Sequence, residues 1–201
     1  KGLPGSDYRF AEEHAFWLHT FAEYMAIKES FGLKSWTEWD DEHIRLRRPE
    51  ALEDYRQRLA DQMDYHRLTQ YLFFQQWQQL KNYANENGIE IVGDMPIYIA
   101  ADSADMWANP HFFKTDEQGR PAVVAGCPPD DFSAIGQLWG NPIYDWDAMK
   151  ADGFTWWIAR LRESFKLYDM VRIDHFIGFA SSWEIPAGEE TAVNGYRVEA
   201  P

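Results

Sequence analysis

Cysteine is almost missing from this 201-residue sequence: Cys127 is the one thiol, so no internal disulfide can form. Long apolar runs are missing as well. No stretch is apolar enough to span a bilayer and no secretory leader is evident, so the chain reads as cytoplasmic with no membrane partner. Basic charge is scarce, 19 Lys and Arg against 33 Asp and Glu for a net charge of −14, which argues against a nucleic-acid partner. A repeat of fixed period and a low-complexity tract are absent too. Aromatic residues, by contrast, make up 16% of the chain, ten of them Trp, and 45% of it is hydrophobic, enough at this length for a real core. A neutral polyhydroxylated ligand suits an acidic chain rich in Trp and Tyr, although acidity also serves solubility. Cys127 lies in Ala125-Gly126-Cys127-Pro128-Pro129, which reads as a loop; with no His partner in sequence it is read as an inert thiol. The chain starts at Lys1 and stops at Pro201 in mid-pattern, the expectation for a piece of something longer.

In chain order, Phe10, His14, Trp17, Leu18, Phe21, Met25 and Ile27 recur at helical spacing, with Gly32 at the expected stop. Residues 35–48 are polar, with Trp36, Trp39 and a short basic run that reads as a solvated face. Pro49 suits a first helical turn. Leu52 to Ala84 then predict one or two helices, stopped at Asn85-Glu86-Asn87-Gly88. Residues 88–94 read as a buried strand ending in polar residues. Residues 100–147 lack regular periodicity and read as one long loop, of a length that is usually functional or poorly ordered. Phe154, Trp157, Ile158, Leu161 and Phe165 mark a further helix.

That helix delivers the chain to Val171-Arg172-Ile173-Asp174-His175, the most informative stretch. Apolar and charged residues alternate as in a short strand. Three polar groups then crowd its end, where burial would cost on the order of several kcal/mol unless they were paired. A plain Arg172–Asp174 salt bridge is the bland explanation. The surroundings favour a strand end opening on a site. Strand, crossover helix and strand make the βαβ unit of a parallel sheet, with Asp94 and Asp174 both near C-terminal strand ends. In a (β/α)8 barrel, those ends carry the active site.

Five blocks then stand in order: Gly93-Asp94-Met95-Pro96-Ile97-Tyr98, Asp102-Ser103-Ala104-Asp105, Val124-Ala125-Gly126 through Pro128-Pro129-Asp130, Gln137-Leu138-Trp139-Gly140-Asn141-Pro142, and Arg172 to Gly178. With Trp183-Glu184-Ile185-Pro186-Ala187 downstream, the sequence from about Phe16 to its end resembles the 4-alpha-glucanotransferases, the amylomaltase or disproportionating-enzyme family. The resemblance implies α/β architecture, part of a (β/α)8 barrel with helical and long-loop insertions. Residues 1–87 would be a mainly helical region and 88–201 the barrel strands with a long substrate-facing loop, together one incomplete catalytic domain. It also implies maltooligosaccharides or alpha-1,4-glucans as partners, with no cofactor and no metal.

The family resembles retaining glycosidases in mechanism: a carboxylate attacks the anomeric carbon, and a second carboxyl then deprotonates the incoming sugar hydroxyl. The motif match makes Asp174 the nucleophile; an Asp needs no activating base at neutral pH. Arg172 would be its counter-ion, His175 a donor to a substrate hydroxyl, and Asp94 a ligand of the sugar being cleaved. Asp130, Gln137 and Trp139 match acceptor-side or sugar-stacking positions, Trp139 being equally readable as a loop anchor. Asp131 departs from the aromatic residue of some members. Glu184 is tempting as acid/base, but the resemblance places that Glu, and a stabilising Asp, on later strands beyond Pro201. The chain alone would then be inactive. An alpha-amylase-like hydrolase and a non-catalytic glucan-binding module remain the alternatives. A metal site at Asp174-His175 is disfavoured, because neighbours on a strand point to opposite faces.

Overall fold

The computed structural model of the chain describes residues 5–200, so Lys1 and Pro201, on which the expectation about the chain ends rests, lie outside the described residues. The architecture is mixed α/β, as expected. Two compact units divide it: one runs to Gly93 and resumes over Leu161–Val171, the other holds Asp94–Arg160 and the chain from Arg172 on.

The first unit is helical. The stripe expected to form one helix forms two, α1 (Gly5–Glu13) and α2 (Ala15–Ser30), parted at His14. His14 is drawn into a tertiary contact that periodicity cannot show: its Nδ1 lies 2.8 Å from Glu163 Oε2, to which Trp17 Nε1 also donates at 3.3 Å. Gly32 does stop α2. At φ +68° it turns the chain left-handed, so that Leu33 N–H reaches Lys28 C=O at 2.9 Å.

The basic run, expected to be a solvated face, is half-buried over residues 45–47 and exposed at Arg48. Trp36, Trp39 and Ile44 are fully buried, and Asp41 caps the short helix α3 (Glu42–Arg45) by accepting the His43 and Ile44 N–H groups. Arg45 and Arg47 spend their charge on Trp39 C=O and on the buried Glu23. Two helices follow as expected, α4 (Pro49–Arg58) with Pro at its start and α5 (Ala60–Glu86), ended at Gly88. Ala22 and Ala26 of α2 pack on Met63 of α5, with Leu59 beside them.

Strand β1 is Val92–Pro96, not the buried 88–94 strand expected: Ile89 and Val92 are 59% and 58% exposed. Its first anchor is Asp169, whose Oδ2 accepts Ile91 N–H at 2.8 Å, and its partner in the two-stranded sheet is β4 (Met170–Asp174). Partners ascend along both strands, Ile91 C=O taking Asp169 N–H and Asp94 taking Arg172, which marks a parallel pair. Helix α8 (Thr155–Leu167) leads into β4, as the periodicity of 154–165 predicts.

The loop expected over 100–147 is largely ordered. It holds helix α6 (Ala104–Ala108), strands β2 (Val123–Cys127) and β3 (Gln137–Pro142), and helix α7 (Trp146–Ala151). With β5 (Ser181–Pro186) and β6 (Tyr196–Glu199), the strands form an antiparallel sheet ordered β3-β2-β5-β6. Cys127 therefore ends a strand. Short strands containing Gly, Pro and Gln show no clean alternation, and β2 finds its partner β5 about sixty residues later, Val124 opposite Ile185. Gly126 is required there, because a Cβ would run into Gln137 C=O and Ile185. The aromatic core of this unit gathers Phe113, Tyr144, Trp156 and Trp157.

Candidate active site

Arg172 and Asp174 stand two residues apart on β4 and share a face. Asp94 comes from β1 beside them. One guanidinium joins all three: Arg172 Nη1 donates to Asp94 Oδ2 at 2.5 Å and Nη2 to Asp174 Oδ1 at 2.5 Å. The three side chains are 60%, 58% and 55% exposed. Paired charges this accessible add little to stability, roughly 0–1 kcal/mol. The cluster is better described as a device for aiming carboxylates than for holding the fold. Asp174 Oδ2 accepts no hydrogen bond among the described residues, so that oxygen stays available.

Beyond the strand end the chain turns sharply. His175 sits in the left-handed region at φ +55°, unusual for a residue with a side chain. The turn lays its ring against Trp139 of β3, centroids 4.8 Å apart and planes perpendicular. Burial holds His175 below its ordinary pKa, and the neighbouring Asp174 charge offsets only part of this. It is therefore neutral at pH 7, with one ring nitrogen to donate and one to accept. Gln137 Oε1 takes the Trp139 indole N–H at 3.0 Å and so fixes that ring.

Asp94, Arg172, Asp174, His175, Trp139 and Gln137 are thus brought into one group. Asp130 is spent differently: its Oδ1 accepts the Phe132 and Ser133 N–H groups at 2.9 and 2.8 Å, capping its own turn. Phe132, next along that turn, is fully exposed.

Two features escaped the sequence reading. Tyr98 completes an aromatic corner, its ring 6.1 Å from His175 and 6.4 Å from Trp139. Burial first, then the Glu184 and Cys127 charges, push its phenol up to about 12, so it remains a neutral hydroxyl. Its place in the Gly93-to-Tyr98 block was the available signal. The second is a clamp under β1: Arg160 donates to Pro96 C=O at 2.7 Å and Ile97 C=O at 2.9 Å, and Tyr144 OH donates to Ile97 C=O at 2.6 Å. An Arg on a helix gives no such sign.

Glu184, set aside as acid/base from sequence, is 2% exposed, ion-paired with Lys114 at 2.6 Å and hydrogen-bonded to Ser182. Among the described residues no cluster of three or more His, Cys, Asp or Glu could hold a metal, and no helix is long and apolar enough to cross a membrane.

Comparison with known proteins agrees with the sequence motifs. A family described as 4-alpha-glucanotransferase matches residues 6–201. The 4-alpha-glucanotransferase of Streptococcus pneumoniae is 65% identical over 193 residues, covering 96% of this chain and 38% of the relative. That of Aquifex aeolicus is 51% identical over 192 residues, covering 96% and 39%. Among solved structures, the Streptococcus agalactiae amylomaltase in complex with acarbose superposes with a TM-score of 0.94 at 51% identity, over 98% of this chain and 39% of that one. The fold is accordingly part of a (β/α)8 barrel, and the chain spans about 38% of the length of the curated relatives it matches.

Proposed function

Because this chain belongs to the 4-alpha-glucanotransferase family, we propose that it is the section of such an enzyme that carries the nucleophile and the sugar-binding groups around it. The substrates are alpha-1,4-glucans and maltooligosaccharides, and the reaction is transfer by retaining double displacement. The free Oδ2 of Asp174 attacks the anomeric carbon as the glycosidic bond breaks, and the leaving oxygen takes a proton from an acid outside this chain. A sugar hydroxyl of the acceptor, deprotonated by that same group, then displaces Asp174 and restores the linkage with its configuration kept.

The other residues divide the work of positioning. Arg172 holds Asp174 and Asp94 in register, leaving Asp94 to accept from hydroxyls of the sugar being cleaved. Neutral His175 offers a donor or an acceptor to a hydroxyl, and Trp139, braced by Gln137, offers a flat face to a pyranose ring. Asp130 serves the acceptor side through the turn it caps. Residues 1–87 form the helical part and 88–201 the strand-bearing part of one catalytic domain, which works in the cytoplasm without a cofactor.

The observation that carries this reading is the single guanidinium bridging Asp94 and Asp174 on paired strands, beside Trp139 and His175. Against Glu184 as the second carboxyl stand its burial at 2% exposure and the Lys114 and Ser182 contacts, both to Oε1. The test is Asp174→Asn in the full-length protein. Disproportionation of maltotriose should vanish while maltooligosaccharide binding persists; a variant that still turns over would remove Asp174 from the role.

A further inference from the structure

The first unit contains a cavity of about 430 Å³ lined by residues of α2, α4, α5 and the turn after α3. Its wall carries Arg47, Arg56 and Arg67 against Glu23 and Asp64, with His19 at the side. In a chain of net charge −14, that is a local excess of positive charge.

The carboxylates present are already engaged. Buried Glu23 receives Arg56 Nε at 2.6 Å on one oxygen and Arg47 Nη1 at 3.5 Å on the other. Asp64 takes Arg67 Nη1 at 2.7 Å. The Arg67 Nε–H is buried and has no acceptor among the described residues. An unmet buried donor on a charged group is costly, and an unmet positive charge more so, unless a ligand supplies what is missing. Arg47 also stands in the left-handed region at φ +53°, a conformation a side-chain-bearing residue adopts only when its surroundings impose it.

We propose that this cavity binds a small anion, a phosphate group either free or as a monoester, through the guanidinium groups of Arg47, Arg56 and Arg67. Planar forks of N–H donors match a tetrahedral oxyanion, and the residues that carry three of them line one space. The electrostatics run the same way. Burial, then the Arg67 charge, hold His19 below its ordinary pKa. Burial likewise pulls Arg47 down; Glu23 offsets part of that, and Arg56 adds to it. An anion among Glu23, Arg47, Arg56, Asp64 and Arg67 would raise the midpoint at which His19 gains its proton. The role given to Asp174 has no bearing on this site.

Nuclear magnetic resonance titration of the whole chain with inorganic phosphate, against chloride at equal ionic strength, tests it. Arginine Nε signals and the His19 ring should shift saturably with phosphate only, with the His19 midpoint moving up. Arg67→Gln should weaken the affinity by about tenfold and Asp64→Asn, which removes a competing carboxylate, should strengthen it. A hexose monophosphate run in parallel tells the sources apart: tighter binding than inorganic phosphate means an ester occupies the cavity, equal binding a free ion. Shifts that never saturate, that chloride reproduces, or that neither variant alters while both melt like the parent would overturn the proposal.

Discussion

Arg172 sends one Nη to each of two carboxylates, and that geometry separates its effect on activity from its effect on stability. A lysine keeps the charge but offers one compact ammonium, which cannot reproduce two directed bonds. Arg172→Lys in the full-length protein should lower kcat for maltotriose transfer by at least about tenfold, a loss of about 1.4 kcal/mol in transition-state binding. Thermal stability should fall by under about 1 kcal/mol, because the pair is open to solvent; a large drop in Tm with kcat intact would reverse the assignment. Trp139→Ala should raise KM for maltooligosaccharides, with Trp139→Phe recovering part of the loss, as expected of a ring that stacks on sugar. Glu163 gives a prediction about acid. Burial alone would raise its pKa, yet hydrogen bonds from Lys166 and His14 outweigh that and hold it below the usual carboxylate range. The stability this gives is present above the unfolded value, about 4.3, and is lost as pH falls through the lower folded one. Glu163→Gln should therefore flatten the acid limb of a stability–pH curve measured by thermal melts between roughly pH 5 and 3.

At the scale of elements, β1 is where neighbouring groups converge. Asp169 holds Ile91 at its entrance, while Arg160 and Tyr144 grip Pro96 and Ile97 at its exit. Tyr144→Phe deletes the bond to Ile97 C=O and the one the hydroxyl accepts from Arg160 Nη1, but leaves Arg160 bonded to the same carbonyl. The expected cost, read from urea melts, is therefore about 1–2 kcal/mol, whereas Arg160→Met, which strips donors from both carbonyls, should cost more. The longer helices were legible from their periodicity, and so were stops at Gly32 and Gly88, because caps and apolar spacing are local; the short α3, α6 and α7 were not. The antiparallel sheet was not. Its strands are short, interrupted by Gly126 and Pro142, and defined by partners far along the chain. The break at His14 and the burial of Trp36 and Trp39 escaped for the same reason: each answers to a tertiary contact.

At the scale of the whole molecule, the proposed site residues could be named from the sequence because they sit in short motifs. Asp94, Arg172, Asp174, His175, Gln137 and Trp139 lie together in the structure, whereas Asp130 caps a turn. Tyr98 and Arg160 were missed because their roles arise only once strands and helices pack. Since the chain spans about 38% of its curated relatives and Glu184 is locked to Lys114, the 201-residue chain alone should produce no ladder of maltooligosaccharides from maltotriose, whereas the full-length protein should. The most direct measurement is to trap the covalent intermediate. Full-length protein treated with a slow-reacting alpha-glucosyl fluoride, digested and sequenced by mass spectrometry should carry one hexosyl ester, on Asp174. An ester on another carboxylate, or an Asp174→Asn variant that is labelled as readily, would contradict the account.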